Sequence, residues 1–432
     1  MAGGEDTSAN VLDLIQKLGS KNIKLWLEEQ ELKFKAPKGA LTKALREELL
    51  AKKTEIIAFL RDVKVGEAAN EAGILPVDRR QQNEFPLSFA QQRLWFIDQF
   101  EPNSSAYNIP IALYLDGDLN INALCRAIQE IVQRHESLRT TFKSIDGEAF
   151  QLIQQMPSHN KSDTATLYWD LPLQDLTHLD EAERESVARS LAQQEIEKPF
   201  DLVSGPLLRT RLIKLADHKH ALVATMHHIV SDGWSLNVLV QELAVLYDCF
   251  STNAAALSPL QPLSLQYVDF AVWQRERLKE EELDKQLAYW KKHLLGAPPL
   301  LALPTDRPRP LVQTKNGAHV PVVLATDLVE QLRDLSHQQG ATLYMTLMAG
   351  FKVLLSKYSQ QQDITVGMPI AGRNRVEIEP LIGFFVNSLV TRTRFDDNPT
   401  VVELIERERV SILGAHAHQD VPFEAVVDAL DL

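Results

Sequence analysis

From residue 220 to residue 250 the chain reads HALVATMHHIVSDGWSLNVLVQELAVLYDCF, and this run constrains the fold more than any other. HALVATM is apolar and β-branched, the composition of a strand buried inside a sheet. SDG is a turn signal. The rest spaces its apolar residues as a helix does. The histidine pair His227 and His228 therefore stands at a strand end, with Asp232 and Gly233 in the turn that follows. Successive side chains on a strand point to opposite faces, so the two rings cannot both face one cavity. Three readings are open from these residues alone. The pair can be structural, it can ligate a metal, or one imidazole can perform acid–base chemistry while Asp232 braces the turn. Adjacent histidines on opposite faces chelate poorly, and no second His or Cys cluster stands at ligand spacing. No metal site is assigned.

At 432 residues the chain exceeds one ordinary core, so two or three domains are expected. A net charge of −13 with no compensating basic tract argues against a nucleic-acid partner. The two cysteines, Cys125 and Cys249, each lie within a helical apolar pattern and read as buried thiols of a reducing compartment. No apolar run approaches membrane-spanning length, and MAGGEDTSAN lacks a signal-peptide core. A cytoplasmic location is expected, with no membrane partner.

The first 65 residues differ from the rest, carrying a balance of +2 that leaves −15 for the remainder. NVLDLIQKLGSKN reads as a short helix and LTKALREELLAKKTEIIAFLRDV as one helix or two in series. Between them, IKLWLEEQELKFKAPKG alternates strictly and predicts a β-hairpin turning near Glu29 and Gln30. Lys24, Lys33 and Lys35 fall opposite Leu25, Leu27 and Leu32. Residues 66–84 lack periodicity and read as a linker. Beyond Phe85, strands and helices mix without regular βαβ alternation, which indicates an α+β fold. A Pro-rich segment near residues 297–310 marks where a second lobe would begin. No Gly-rich phosphate loop and no GxSxG turn is present.

Six stretches in order carry a resemblance. SFAQQRLWFIDQFEP (88–102), RHESLRTTF (134–142), MHHIVSDGWS (226–235), YVDFAVWQ (267–274), IGFFVNSLVTR (382–392) and HQDVPFE (418–424) are similar to the motif series of nonribosomal peptide synthetase condensation domains. The N-terminal unit resembles the tubulysin-type docking domain, a small dimeric αββαα module. The resemblance implies two chloramphenicol-acetyltransferase-like lobes arranged in a V. The expected division is a docking domain at 1–65, a linker at 66–84, and lobes at 85–260 and 261–432. The second lobe reads as truncated, because the family continues beyond VVDALDL to a motif like RDxSRNPL.

The resemblance also implies a reaction. The amine of a carrier-bound aminoacyl acceptor attacks a carrier-bound donor thioester, and both phosphopantetheine arms come from partner carrier domains, so this chain itself binds no cofactor. His228 corresponds to the catalytic histidine, as general base or as a group that positions the amine and stabilises the charged intermediate. His227 supports the strand end. Asp232 is paired in the family with the first arginine of the second motif, here Arg134. Gly233 is expected to permit a turn or close approach of the tethered arm, and Asn387 either to face the channel or to satisfy a loop. Trp95, Trp234 and Trp273 are expected in the core. Lys24, Lys33 and Lys35 are expected to receive the acidic tail of an upstream synthetase, with homodimerisation through the same module. The motifs look like the type joining two L-residues or a starter type. The rival readings are a stand-alone acyltransferase using a soluble acyl thioester and a non-catalytic recruiting platform.

Overall fold

The apolar strand is central because both of its faces are covered. The computed structural model describes the strands at 24–28 and 31–35, the single positions Thr42, Arg46, Leu49 and Lys53, and residues 73–80, 83–155, 169–253, 257–310, 317–318 and 320–430. Strands β4 (Asn108–Asp116), β7 (Leu173–Asp175), β8 (Leu208–Ala216) and β9 (Lys219–His227) form a sheet in the order β4-β9-β8-β7. All its pairs are antiparallel except β7 with β8. Leu222, Ala224 and Met226 of β9 pack in one core with helices α2 (Ile121–Arg134) and α4 (Gly233–Thr252). Ala221 and Val223, on the other face, pack against α3 (Glu181–Glu197). A strand covered twice has no solvent face to mark with polar residues, hence the unbroken apolar run.

A three-stranded sheet, β3-β6-β5, joins Glu84–Pro86, Glu148–Ile153 and Thr140–Ile145 beside helix α1 (Phe89–Phe100). Helices α5 (Tyr267–Arg277) and α6 (Glu280–Leu294) lead toward the second lobe. There α7 (Thr326–Gln338), α8 (Leu343–Ser359), α9 (Val401–Ala417) and α10 (Phe423–Ala429) accompany the antiparallel pair β10 (Asp363–Ile370) and β11 (Asn387–Arg394). Its core gathers Trp290, Met345, Met368, Leu389, Ile405 and Ile412. The fold is α+β, in two lobes of the expected acetyltransferase-like kind. Within the second lobe Lys352 and Glu408 form a fully buried ion pair at 2.8 Å.

The hairpin forms as the alternation required. β1 (Lys24–Glu28) pairs with β2 (Glu31–Lys35), setting Lys24 opposite Lys35, Trp26 opposite Lys33 and Glu28 opposite Glu31. The lysine positions therefore share one face of the ribbon, which ends in an acidic pair at the turn. The helices expected on either side lie outside the described residues, apart from single positions.

Residues 73–80, within the expected linker, are packed: Ile74 is buried against Leu265, Tyr267 and Phe270. The Val77 N–H donates to Asp269 at 2.8 Å, and Arg79 donates to both Asp269 oxygens at 3.0 Å and to Glu136 at 2.8 Å. Missing periodicity meant only that no regular element forms there; the segment still finds partners. Cys125 is buried as expected, whereas Cys249 is only half-buried, with its thiol 3.7 Å from the Leu257 carbonyl.

Candidate active site

β9 ends at His227, and a single 3₁₀ turn, His228–Val230, carries the chain to the start of α4. That turn separates the two histidines. His227 is buried, its Nδ1 accepting the Ile229 N–H at 3.1 Å, with Phe200 edge-on at 6.0 Å. Burial, and then the neighbouring His228, push its pKa down to about 3, so the ring is neutral. His228 is half-buried. Its backbone N–H donates to the Tyr107 carbonyl at 2.8 Å, and its Nδ1 lies 2.8 Å from the Ser231 carbonyl. A carbonyl oxygen can only accept, so Nδ1 carries a hydrogen, and in the neutral ring the lone pair is the one on Nε2. Among the described residues nothing hydrogen-bonds Nε2. The Phe384 ring packs against the imidazole at 4.6 Å between centroids.

Asp232 caps α4, accepting from the Ser235 N–H at 2.8 Å and the Ser235 hydroxyl at 2.7 Å. Its other oxygen accepts the Phe385 N–H at 3.1 Å. The cation paired with it is Arg373, at 3.1 and 3.3 Å, and both side chains are 1% exposed. Arg373 also donates to the carbonyls of Ile378 and Leu381 at 2.8 and 2.7 Å and stacks on Phe385. Burial lowers its pKa, and Asp232 opposes that shift.

The expected Asp232–Arg134 pair is thus overturned. Arg134 donates to Glu242 at 2.8 Å and to the Gln261 carbonyl at 2.5 Å. Glu242 lies ten residues beyond Asp232, about 15 Å along the helix, so one arginine cannot serve both. His135 completes the second pair, with Nε2 2.9 Å from Glu242 and Nδ1 accepting the Ile382 N–H at 3.3 Å. Burial raises the Glu242 pKa, but the hydrogen bonds from His135 and Arg134 and the Arg134 charge outweigh it and leave the carboxyl low.

The other expected residues resolve individually. Gly233 has ordinary backbone, and an added Cβ would meet nothing within 4 Å, so the turn does not require glycine. Gly372 is the glycine the backbone demands, with φ +64° and a would-be Cβ 1.9 Å from the Phe385 carbonyl. Asn387 satisfies a loop, donating to the carbonyls of Gln419 and Val421 at 2.8 and 2.7 Å, and it also lines a cavity with Phe270, Trp273, Phe385 and Asp420. Burial raises the Asp420 pKa there. Trp95 is buried as expected and Trp273 is half-buried. Trp234 is 42% exposed, with its indole N–H on the Glu379 carbonyl at 2.9 Å. It is not a core residue.

Sequence reasoning missed Arg373, Glu242, Ser235 and Tyr267. One signal was available for the first: a buried carboxylate needs a cation, and AGRNR (371–375) follows β10 directly. Among the described residues no group of three or more His, Cys, Asp or Glu side chains gathers as a metal site would require. No helix among them is long and apolar enough to cross a membrane.

Comparison with known proteins places the chain in a family. Residues 81–432 match the condensation domain family, and residues 11–62 match the TubC N-terminal docking domain. A linear gramicidin synthase of Brevibacillus parabrevis is 50% identical over 85% of the chain and 7% of its own length. Bacitracin synthase 2 of Bacillus licheniformis is 34% identical over 98% of the chain and 15% of its own length. The chain therefore spans a small part of these relatives. The crystal structure of the X-domain from teicoplanin biosynthesis is 27% identical with a TM-score of 0.71, covering 84% of this chain and 76% of that one. The chain belongs to the condensation domain family, preceded by a docking domain of the TubC N-terminal type.

Proposed function

We propose that this chain forms an amide bond between two thioesters. The donor acyl or peptidyl group and the acceptor aminoacyl group arrive on phosphopantetheine arms of partner carrier domains. The acceptor nitrogen attacks the donor carbonyl, the C–N bond forms, and the C–S bond breaks to release the donor thiol. The attacking amine must lose a proton, and the thiolate must gain one. His228 is suited to both steps, because the Ser231 carbonyl holds its proton on Nδ1 and leaves Nε2 to accept. That observation carries the reading. An imidazole held this way also favours the positive charge that develops on nitrogen in the tetrahedral intermediate. His227 is excluded from this role by burial and supports the turn.

The N-terminal module serves docking. Lys24 and Lys35 stand directly across the hairpin, an arrangement that like charges disfavour and an acidic strand laid beside them would relieve. We read its partner as the acidic tail of an upstream synthetase, with a second copy of the module completing a homodimer, in the cytoplasm. The test of the central reading uses two thioesters of N-acetylcysteamine, one N-acylated as donor and one bearing a free amine. The parent should yield the amide by mass spectrometry and His228→Ala should not. Equal product from both would remove the assignment.

A further inference from the structure

Tyr267 sits where three parts of the fold meet, and the mechanism above does not use it. It is 2% exposed at the start of α5, and burial pushes its hydroxyl well above its ordinary range, so it remains a donor. The hydroxyl lies 2.6 Å from the Phe384 carbonyl and 2.7 Å from the Ser88 Oγ. The carbonyl can only accept, so Tyr267 donates to it and Ser88 donates to Tyr267. Ser88 in turn accepts the Gln91 N–H at 3.1 Å, which gives a one-way relay from the cap of α1 to Phe384. The Gln91 side chain also donates to the Ile229 carbonyl at 3.3 Å, within the turn that bears His228. One relay thus grips the imidazole from two sides: its own turn, and the Phe384 ring that packs on it at 4.6 Å.

The ring of Tyr267 is separately fixed. It lies so close to Gly383 that a Cβ there would stand 2.1 Å from it, and it meets Phe385 edge-on at 4.9 Å. Removing only the oxygen should leave this packing intact while freeing the Phe384 carbonyl. We propose that Tyr267 is a positioning residue for His228, acting through its hydroxyl bond to the Phe384 backbone and the Ser88–Gln91 relay behind it. The proposal rests on the catalytic reading of His228.

The test is Tyr267→Phe in the full chain, with Ser88→Ala as a second variant should the first fail to fold. Two measurements are made on each: the His228 ring resonances by NMR with histidine labelling, and turnover of the N-acetylcysteamine thioester pair. A group held less than an ångström from its place loses about ten- to a hundredfold in rate. The expected result is a displaced His228 resonance, a fall of that size in kcat, and an unchanged KM. Combining the two substitutions should lower kcat no further than either alone, since each breaks the same relay. An unmoved His228 resonance would overturn the positioning role. A displaced resonance with unchanged turnover would uphold the positioning and overturn the catalytic reading of His228, so the two failures are distinguishable.

Discussion

Replacing Asp232 with alanine should destabilise the protein through one identifiable contact. The carboxylate accepts from the Ser235 backbone and hydroxyl, from Phe385 and, at both oxygens, from Arg373. In Asp232→Ala the Arg373 guanidinium keeps the carbonyls of Ile378 and Leu381 but remains a buried charge without a counter-ion. Removing one partner of such a pair costs about 3–5 kcal/mol, and losing the helix cap adds about 1 kcal/mol. At roughly 2 °C per kcal/mol, the low end suited to a chain this long, Tm should fall by about 8–12 °C. Arg373→Met should destabilise too, yet the double variant should be better than the sum of the two by roughly 1–3 kcal/mol, because no charge is left stranded. Arg134→Ala combined with Asp232→Ala should instead be additive, since the two share no contact. Thermal melts and urea midpoints of the six proteins, parent included, measure all of this. Coupling of Asp232 to Arg134 and not to Arg373 would refute the reasoning, as would an Asp232→Ala protein that melts with the parent.

Three further outcomes are expected. His228→Ala should keep the parent Tm within about 2 °C while losing at least about a hundredfold in turnover, the usual scale for a general base, as thermal melts and product mass will show. His227 has a folded pKa of about 3 against 6.5 unfolded, so the unfolded state binds more protons between those values and stability falls as pH drops through that window. The loss is about 1.4 kcal/mol per pH unit, and His227→Gln should shrink the stability difference between pH 7.5 and pH 4.5 by about 2–3 kcal/mol, a change absent if the ring is charged in the fold. Changing Lys24, Lys33 and Lys35 together to Glu should weaken binding of a fluorescent decapeptide alternating Glu and Leu by about tenfold or more, with the parent's binding falling as salt rises; salt-independent binding would place docking elsewhere.

The local features of the fold were legible because they are local. An apolar run covered on two faces and a strict alternation through the hairpin each determine structure within a few residues. The separation of the histidines was legible too, although its cause is finer than strand alternation: His227 ends the strand and His228 begins a turn. Long-range partners were not legible. Arg373 lies 141 residues from Asp232, and no periodicity links two such positions. Arg134 was expected as the partner of Asp232 on the resemblance, and the length of α4 shows that Glu242 is the acid within its reach. Trp234 misled for a related reason: a large aromatic beside a buried turn reads as core, yet the helix start points it outward to the Glu379 carbonyl.

The partners that were missed explain why so many motif residues surround so little chemistry. Amide formation asks for one imidazole with a free nitrogen and an open side. The buried polar groups of this region satisfy one another: Gln91 on Ile229, Tyr267 on Phe384, Asp232 on Phe385 and Arg373, Ser137 on Ile382. The bonds of Asp232 and Ser137 join the start of α4 and the turn after α2 to the segment at 372–387, so they cross from one lobe to the other, while Gln91–Ile229 stays within the first and Tyr267–Phe384 within the second. In a dry site each bond is strong when made and costly when left unmade. A relative movement of the lobes would break several of the crossing bonds at once.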